Sequence, residues 1–75
     1  MESNQTLDIK NLNCPLPILK TKKALKDLEV GQVLEIISTD PGSIADFGAF
    51  CRTTGHELLG DNSADGIYTF YIKKN

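Results

Sequence analysis

The chain lacks several things at once, and each absence narrows what it can be. No apolar run approaches the ~18 residues of a membrane-spanning helix. The polar opening from Met1 to Thr6 is not followed by the apolar stretch of a secretory signal. No membrane association is expected, and the expected compartment is the cytoplasm, where thiols stay reduced. Cysteine occurs twice and histidine once. A structural zinc site takes four ligands, mostly from these two residue types, so His56 would supply only a third. No metal and no resident cofactor are expected. A basic excess is missing as well. Eight Lys and Arg stand against ten Asp and Glu, for a net charge of −2. That speaks against a nucleic-acid-binding domain, though a local basic patch stays open. Length is short too: 75 residues read as a single domain, 1–75. A domain of this size buries about 60% of its unfolded surface, enough for one thin core and one surface site. A deep pocket around a large cofactor is not expected.

What is present is ordinary globular composition, 40% apolar and 24% charged, in clear periodic segments. Residues 6–10 alternate, with Leu7 and Ile9 on one face of a strand. Asn11-Leu12-Asn13 reads as a turn, since Asn tolerates positive φ. Pro15 marks a helix start, because its missing N–H would have no partner there. Pro17 sits either in the first turn or at the start itself, and the helix should run to Asp27 or Leu28. Ile18, Thr21, Leu25 and Leu28 form its core arc, with Ala24 at the edge. Leu16 and Leu19 fall instead among Lys20, Lys22, Lys23 and Lys26. Residues 32–38 read as a strand with Leu34 and Ile36 inward, and Asp40-Pro41-Gly42 as a turn. Ser43 with Asp46 resembles a capping box opening a helix over 44–54, with Gly55 as its C-terminal cap. Its apolar arc holds Phe50, Phe47, Cys51, Ile44 and Gly48. A short strand over 56–60, a polar turn region over 61–66 with Asp65-Gly66 as a hairpin signal, and a strand over 67–73 complete the chain. The order β-α-β-α-β-β predicts an α/β fold. It is a two-layer sandwich with a mixed four-stranded sheet and both helices on one face, because parallel crossovers are right-handed.

The chemistry concentrates at Cys14, in the run Cys14-Pro15-Leu16-Pro17. Pro15 biases Cys14 toward the extended geometry of an N-cap. The thiolate is the nucleophile of cysteine chemistry. A free cysteine, with a pKa of about 8.5, is only sparsely ionised at neutral pH. A helix N-terminus stabilises an anion there by roughly 0.3–1 kcal/mol, somewhat under one pKa unit, so the thiol is moderately activated. The prolines remove two N–H groups, leaving the Leu16 N–H as the main nearby donor to the sulfur, and they stiffen the turn. No base adjoins Cys14, and a Cys/His hydrolase with a substrate cleft and oxyanion hole does not fit so small a chain.

Leu12-Asn13-Cys14-Pro15-Leu16-Pro17 resembles the Cys-Pro-X-Pro signature of the TusA/SirA family of sulfur carriers. The similarity continues through Gly31, through Asp40-Pro41-Gly42 and through Phe50-Cys51-Arg52-Thr53-Thr54-Gly55-His56-Glu57-Leu58, covering about Leu7 to Lys74. Asn11 stands where the family often has glycine, and Asn is the next best residue for a left-handed turn. The resemblance implies the two-layer sandwich, similar to the C-terminal domain of translation initiation factor three. It also implies a transient persulfide on Cys14. A cysteine desulfurase or rhodanese-type protein would donate the sulfur, and a relay acceptor in tRNA thiolation or sulfur metabolism would receive it. Such a carrier, a sulfurtransferase in type, acts with partner enzymes rather than as a self-sufficient enzyme.

Cys51 lies in a core arc and is expected to pack as a small hydrophobe. The alternative, a reversible disulfide with Cys14, requires Cα atoms within about 7 Å. Lys20 is roughly 9 Å of helix rise from Cys14, too far for direct pairing. With Leu16 and Leu19 exposed among them, Lys20, Lys22, Lys23 and Lys26 read as a docking patch for an acidic partner. Two other functions compete. An RNA-binding module is disfavoured by net charge and by the lack of aromatics among the lysines. A thiol redox switch would use Cys14 and Cys51.

Overall fold

The computed structural model describes residues 3–13 and 16–75. Cys14 and Pro15, which carry the centre of the motif, lie outside the described residues. The elements are β1 (Gln5–Asp8), α1 (Leu16–Lys26), β2 (Val33–Ser38), α2 (Ser43–Thr54), β3 (Glu57–Ala64) and β4 (Ile67–Lys73). The sheet order is β1-β2-β4-β3. β1 pairs parallel with β2, while β4 pairs antiparallel with both β2 and β3. β2 and β3 therefore run in the same direction with β4 between them, so the β2-α2-β3 crossover leaves a gap that the final strand fills. Both helices pack against one sheet and share one core.

Strand alternation builds that core. Leu34 and Ile36 of β2 and Phe70 and Ile72 of β4 are fully buried, as is Ile9 just past β1. α2 sets Phe47 on them, its ring centroid 4.9 Å from that of Phe70. α1 adds Ala24 and Leu25. Thr21 is also buried, and its hydroxyl donates to the Pro17 carbonyl at 2.8 Å, so no polar group is orphaned.

Several boundaries differ from the sequence expectation. α1 begins at Leu16, which puts Pro17 in its first turn. Pro17 is buried on the core side of the helix. α2 begins at Ser43, one residue early, and no capping box forms. The Ser43 hydroxyl instead donates back to the Asp40 carbonyl at 2.6 Å. Ser43 is buried, so Ser43, Phe47, Phe50 and Cys51 form the core stripe. Ile44 is displaced from it and stands 48% exposed. The polar stretch from Asp61 to Ala64 is strand rather than turn, because β4 supplies its backbone partners in register, Asn62 opposite Thr69. Pairing here overrides the weak strand preference of Asp, Asn, Ser and Ala. The hairpin turn is Asp65-Gly66 alone, with φ of 55° and 77°, the left-handed pair of a type I′ turn.

Candidate functional site

β1 and β2 are adjacent parallel strands, so the β1–α1 and β2–α2 connections leave the sheet at the same end. In α/β sheets that carboxyl end is where sites collect. The chain leaving β1 is held firmly. Ile9 N–H donates to Ile37 carbonyl at 2.8 Å, continuing the parallel ladder, and Leu12 N–H donates to Ile9 carbonyl at 3.3 Å. Asn11 takes φ of 67°, the left-handed turn expected of it. Its N–H donates to Thr39 Oγ1 at 2.9 Å. That bond ties the loop leading to Cys14 directly to the loop after β2. Thr39 was not singled out in the sequence, since a threonine ending a strand carries no periodic signal.

The second loop is braced by itself. Asp40 N–H donates to Ser38 Oγ at 3.1 Å, and Gly42 N–H donates to Asp40 Oδ1 at 3.0 Å. The Asp40-Pro41-Gly42 turn thus lies beside the thiol loop as a rigid neighbour.

At the start of α1 one expectation is corrected. The Leu16 N–H does not remain for the sulfur, because it donates to the Asn13 carbonyl at 3.0 Å. That bond occupies the amide with a backbone partner. Electrostatic help at this end therefore rests on the helix as a whole. No acidic residue occupies the first turn of α1, so no fixed carboxylate competes for its positive end.

Leu16 and Leu19 are 47% and 53% exposed, large apolar side chains left in water on the first turn of α1. Lys20, Lys22, Lys23 and Lys26 are all exposed. They follow one another around the helix and border two separate hollows. Lys20 and Lys23 flank a hollow on the β1 side with Gln5, Leu7 and Asp27. Lys22 and Lys26 line a different cavity, on the α2 side.

Cys51 lies in the last turn of α2 within the core, and burial pushes its thiol above the ordinary range. A buried, less ionised thiol is a poor nucleophile. Its proposed pairing with Cys14 involves a residue outside the described ones. Among the described residues, no three His, Cys, Asp or Glu side chains converge to hold a metal ion.

Comparison with known proteins agrees across sequence and structure. The chain is 51% identical over 72 residues to the sulfur carrier protein TusA of Allochromatium vinosum, covering 96% of this chain and 95% of that protein. It is 48% identical over 71 residues to a putative sulfur carrier protein of Neisseria meningitidis, covering 95% and 96%. The crystal structure of a SirA-like protein from Desulfitobacterium hafniense superposes with a TM-score of 0.81 at 25% identity, covering 92% of this chain and 95% of that one. The family model described as sulfurtransferase TusA matches residues 5–74. With residues 5–74 matched by the family model and half of the residues identical to a family relative over nearly the whole length, the chain belongs to the TusA family.

Proposed function

We infer that the protein is a sulfur carrier, holding sulfane sulfur as a persulfide on Cys14 and passing it to a partner protein. The observation that carries this reading is the Cys14-Pro15-Leu16-Pro17 run between a doubly anchored loop and a helix whose first turn holds no carboxylate. The names of its close relatives support the same reading.

The chemistry balances without a cofactor. The Cys14 thiolate attacks the outer sulfur of a donor persulfide, the donor's S–S bond breaks, and the donor leaves as a thiolate. An acceptor thiolate then attacks the outer sulfur on Cys14 in the same way, restoring the Cys14 thiolate. No net oxidation occurs in either exchange. Cysteine desulfurases and rhodanese-type proteins are the donor classes whose persulfides fit, and a tRNA-thiolation or sulfur-metabolism relay is the fitting destination. Leu16 and Leu19, close after Cys14 in sequence, provide apolar area for such a partner. Among the described residues, no helix is long and apolar enough to cross a membrane.

The test is an intact mass after incubating the reduced protein with a cysteine desulfurase and cysteine. One added sulfur atom, removed by reductant and absent from Cys14→Ser, is the expected result. An unmodified wild type, or an equally loaded Cys14→Ser, would overturn the reading.

A further inference from the structure

A second site lies at the other end of α1. The helix runs from Leu16 to Lys26, and ten residue steps carry it ~15 Å from the thiol end. There a cavity of about 190 Å³ opens between the helices. Its floor is apolar, formed by the buried Leu25 and Phe50. Around that floor stand three lysines, Lys22, Lys26 and Lys74, together with Thr54 and His56. Among the described residues that line it, none is acidic. This concentration of positive charge occurs in a chain whose net charge is −2.

The cations are not spent on ion pairs. Among the described residues, the one ion pair joins Lys10 to Asp8 at 3.7 Å, far along the chain from this cavity. Lys22 and Lys26, one helical turn apart, repel each other, an arrangement that costs a helix a few tenths of a kcal/mol. Lys26 also lies in the last turn of α1, where a cation complements the helix dipole. That explains Lys26 alone, not the convergence of three lysines from two elements.

The polar groups are partly preset for a negative ligand. Lys74 Nζ donates to the Leu28 carbonyl at 2.6 Å, which holds the ammonium in place with two protons left to donate. His56 Nδ1 accepts from the Asn75 N–H at 3.1 Å, so in the neutral ring the proton sits on Nε2, which is left as a donor. The ring also lies 6.2 Å from that of Phe50, joining donor and floor.

We propose that this cavity binds a small organic anion, a carboxylate or phosphate carrying a short hydrocarbon body. The head group meets the lysines and His56, and the body covers Leu25 and Phe50. The volume sets the class. It falls below the ~300 Å³ at which pockets begin to admit drug-sized ligands, so a small anion fills it. A neighbouring cavity shares Lys22, Phe50 and Thr54 but includes Asp46, whose carboxylate steers an anion toward the basic end.

The site makes no use of Cys14, so it stands or falls separately from the carrier reading. The test is a titration of the reduced, isotope-labelled protein followed by amide chemical shifts, using hexanoate, acetate, inorganic phosphate and hexylammonium in turn. Hexanoate should shift Lys22, Lys26, Thr54 and His56 saturably. It should half-saturate at about tenfold lower concentration than acetate, because its extra methylenes reach the apolar floor. Phosphate should act on the same residues and hexylammonium should not. Lys26→Gln should weaken hexanoate at least about fivefold, whereas Lys20→Gln, on the β1 side of the helix, should leave it unchanged. The proposal is overturned by an absence of saturation, or by equal affinity for acetate and hexanoate. Equal binding of hexylammonium, or equal weakening by Lys20→Gln and Lys26→Gln, overturns it as well.

Discussion

The two helices occupy equivalent places in the fold, each following one of two adjacent parallel strands, yet they are built for different work. α2 turns its whole inner stripe to the core. Its polar start is consumed locally, with Ser43 bonded to Asp40 and Asp46 in the first turn. Its cysteine is buried. α1 also buries an inner stripe, but it differs at its start and on its outer face. Its first turn holds no carboxylate, two leucines stand in water, four lysines are exposed, and the chain's other cysteine precedes it in sequence. Both helices contribute four buried residues, but α2 brings the large aromatic ones, while the outer face of α1 keeps an apolar edge and lysines. In a domain with little core to spare, dividing the labour between two helices lets exposed apolar surface persist without unfolding the chain.

Breaking that division is the most informative perturbation. Phe47→Ala should cost about 3–5 kcal/mol, since the ring is fully buried against Phe70. Against the 5–15 kcal/mol typical of a whole protein, that leaves a substantial unfolded fraction on urea titration. Leu19→Ala should change stability by less than about 0.5 kcal/mol while slowing sulfur loading from the partner enzyme. A Leu19→Ala cost approaching that of Phe47→Ala would erase the contrast between the helices.

The loop joining β1 to α1 gives an intermediate effect. Thr39→Val removes the acceptor for the Asn11 N–H and should cost about 1–2 kcal/mol by thermal unfolding. It should also slow loading of Cys14 more than Leu58→Val, a change of similar size placed away from the loop. Equal effects on loading would mean that the Asn11–Thr39 bond has no part in positioning the thiol.

The smallest effect sharpens the comparison of the two thiols. Burial raises the Cys51 thiol, so the unfolded chain ionises first as pH climbs. Stability is therefore unaffected by this group below about pH 8.5 and declines as pH rises from there toward the folded-state value. Cys51→Ala should flatten that decline in pH-dependent urea titrations, and in folded Cys14→Ser protein, Cys51 should resist alkylation at pH 8. Rapid alkylation there would place Cys51 among the reactive thiols.

Much of this molecule could be read in one dimension because its signals are local. The alternation through Leu34 and Ile36, the Asp65-Gly66 turn, the left-handed Asn11 and the Gly55 cap each rest on a few neighbouring residues and a steric rule. The motif around Cys14 is equally local, and it pointed to the family before any contact was known. Where expectation and structure part, a distant partner decided. Asp61 to Ala64 lie in a strand because β4 pairs with them. Ser43 rather than Ile44 faces the core because the stripe centred on Phe47 and Phe50 sets the rotation of α2. The Leu16 amide is taken by the Asn13 carbonyl, a backbone partner.

By itself, then, the sequence determined the element types and their order, the motif around Cys14 and the apolar residues exposed at the start of α1, since helical and strand periods and proline sterics act over a few residues. Tertiary structure alone decided that Thr39 bonds Asn11 in the loop leading to Cys14 and that the lysines of α1 border two separate hollows. It also gathered Lys74 and His56, far from α1 in sequence, to Lys22 and Lys26. The physical reason is that charge and hydrogen bonding act through space, and only packing brings those residues within range.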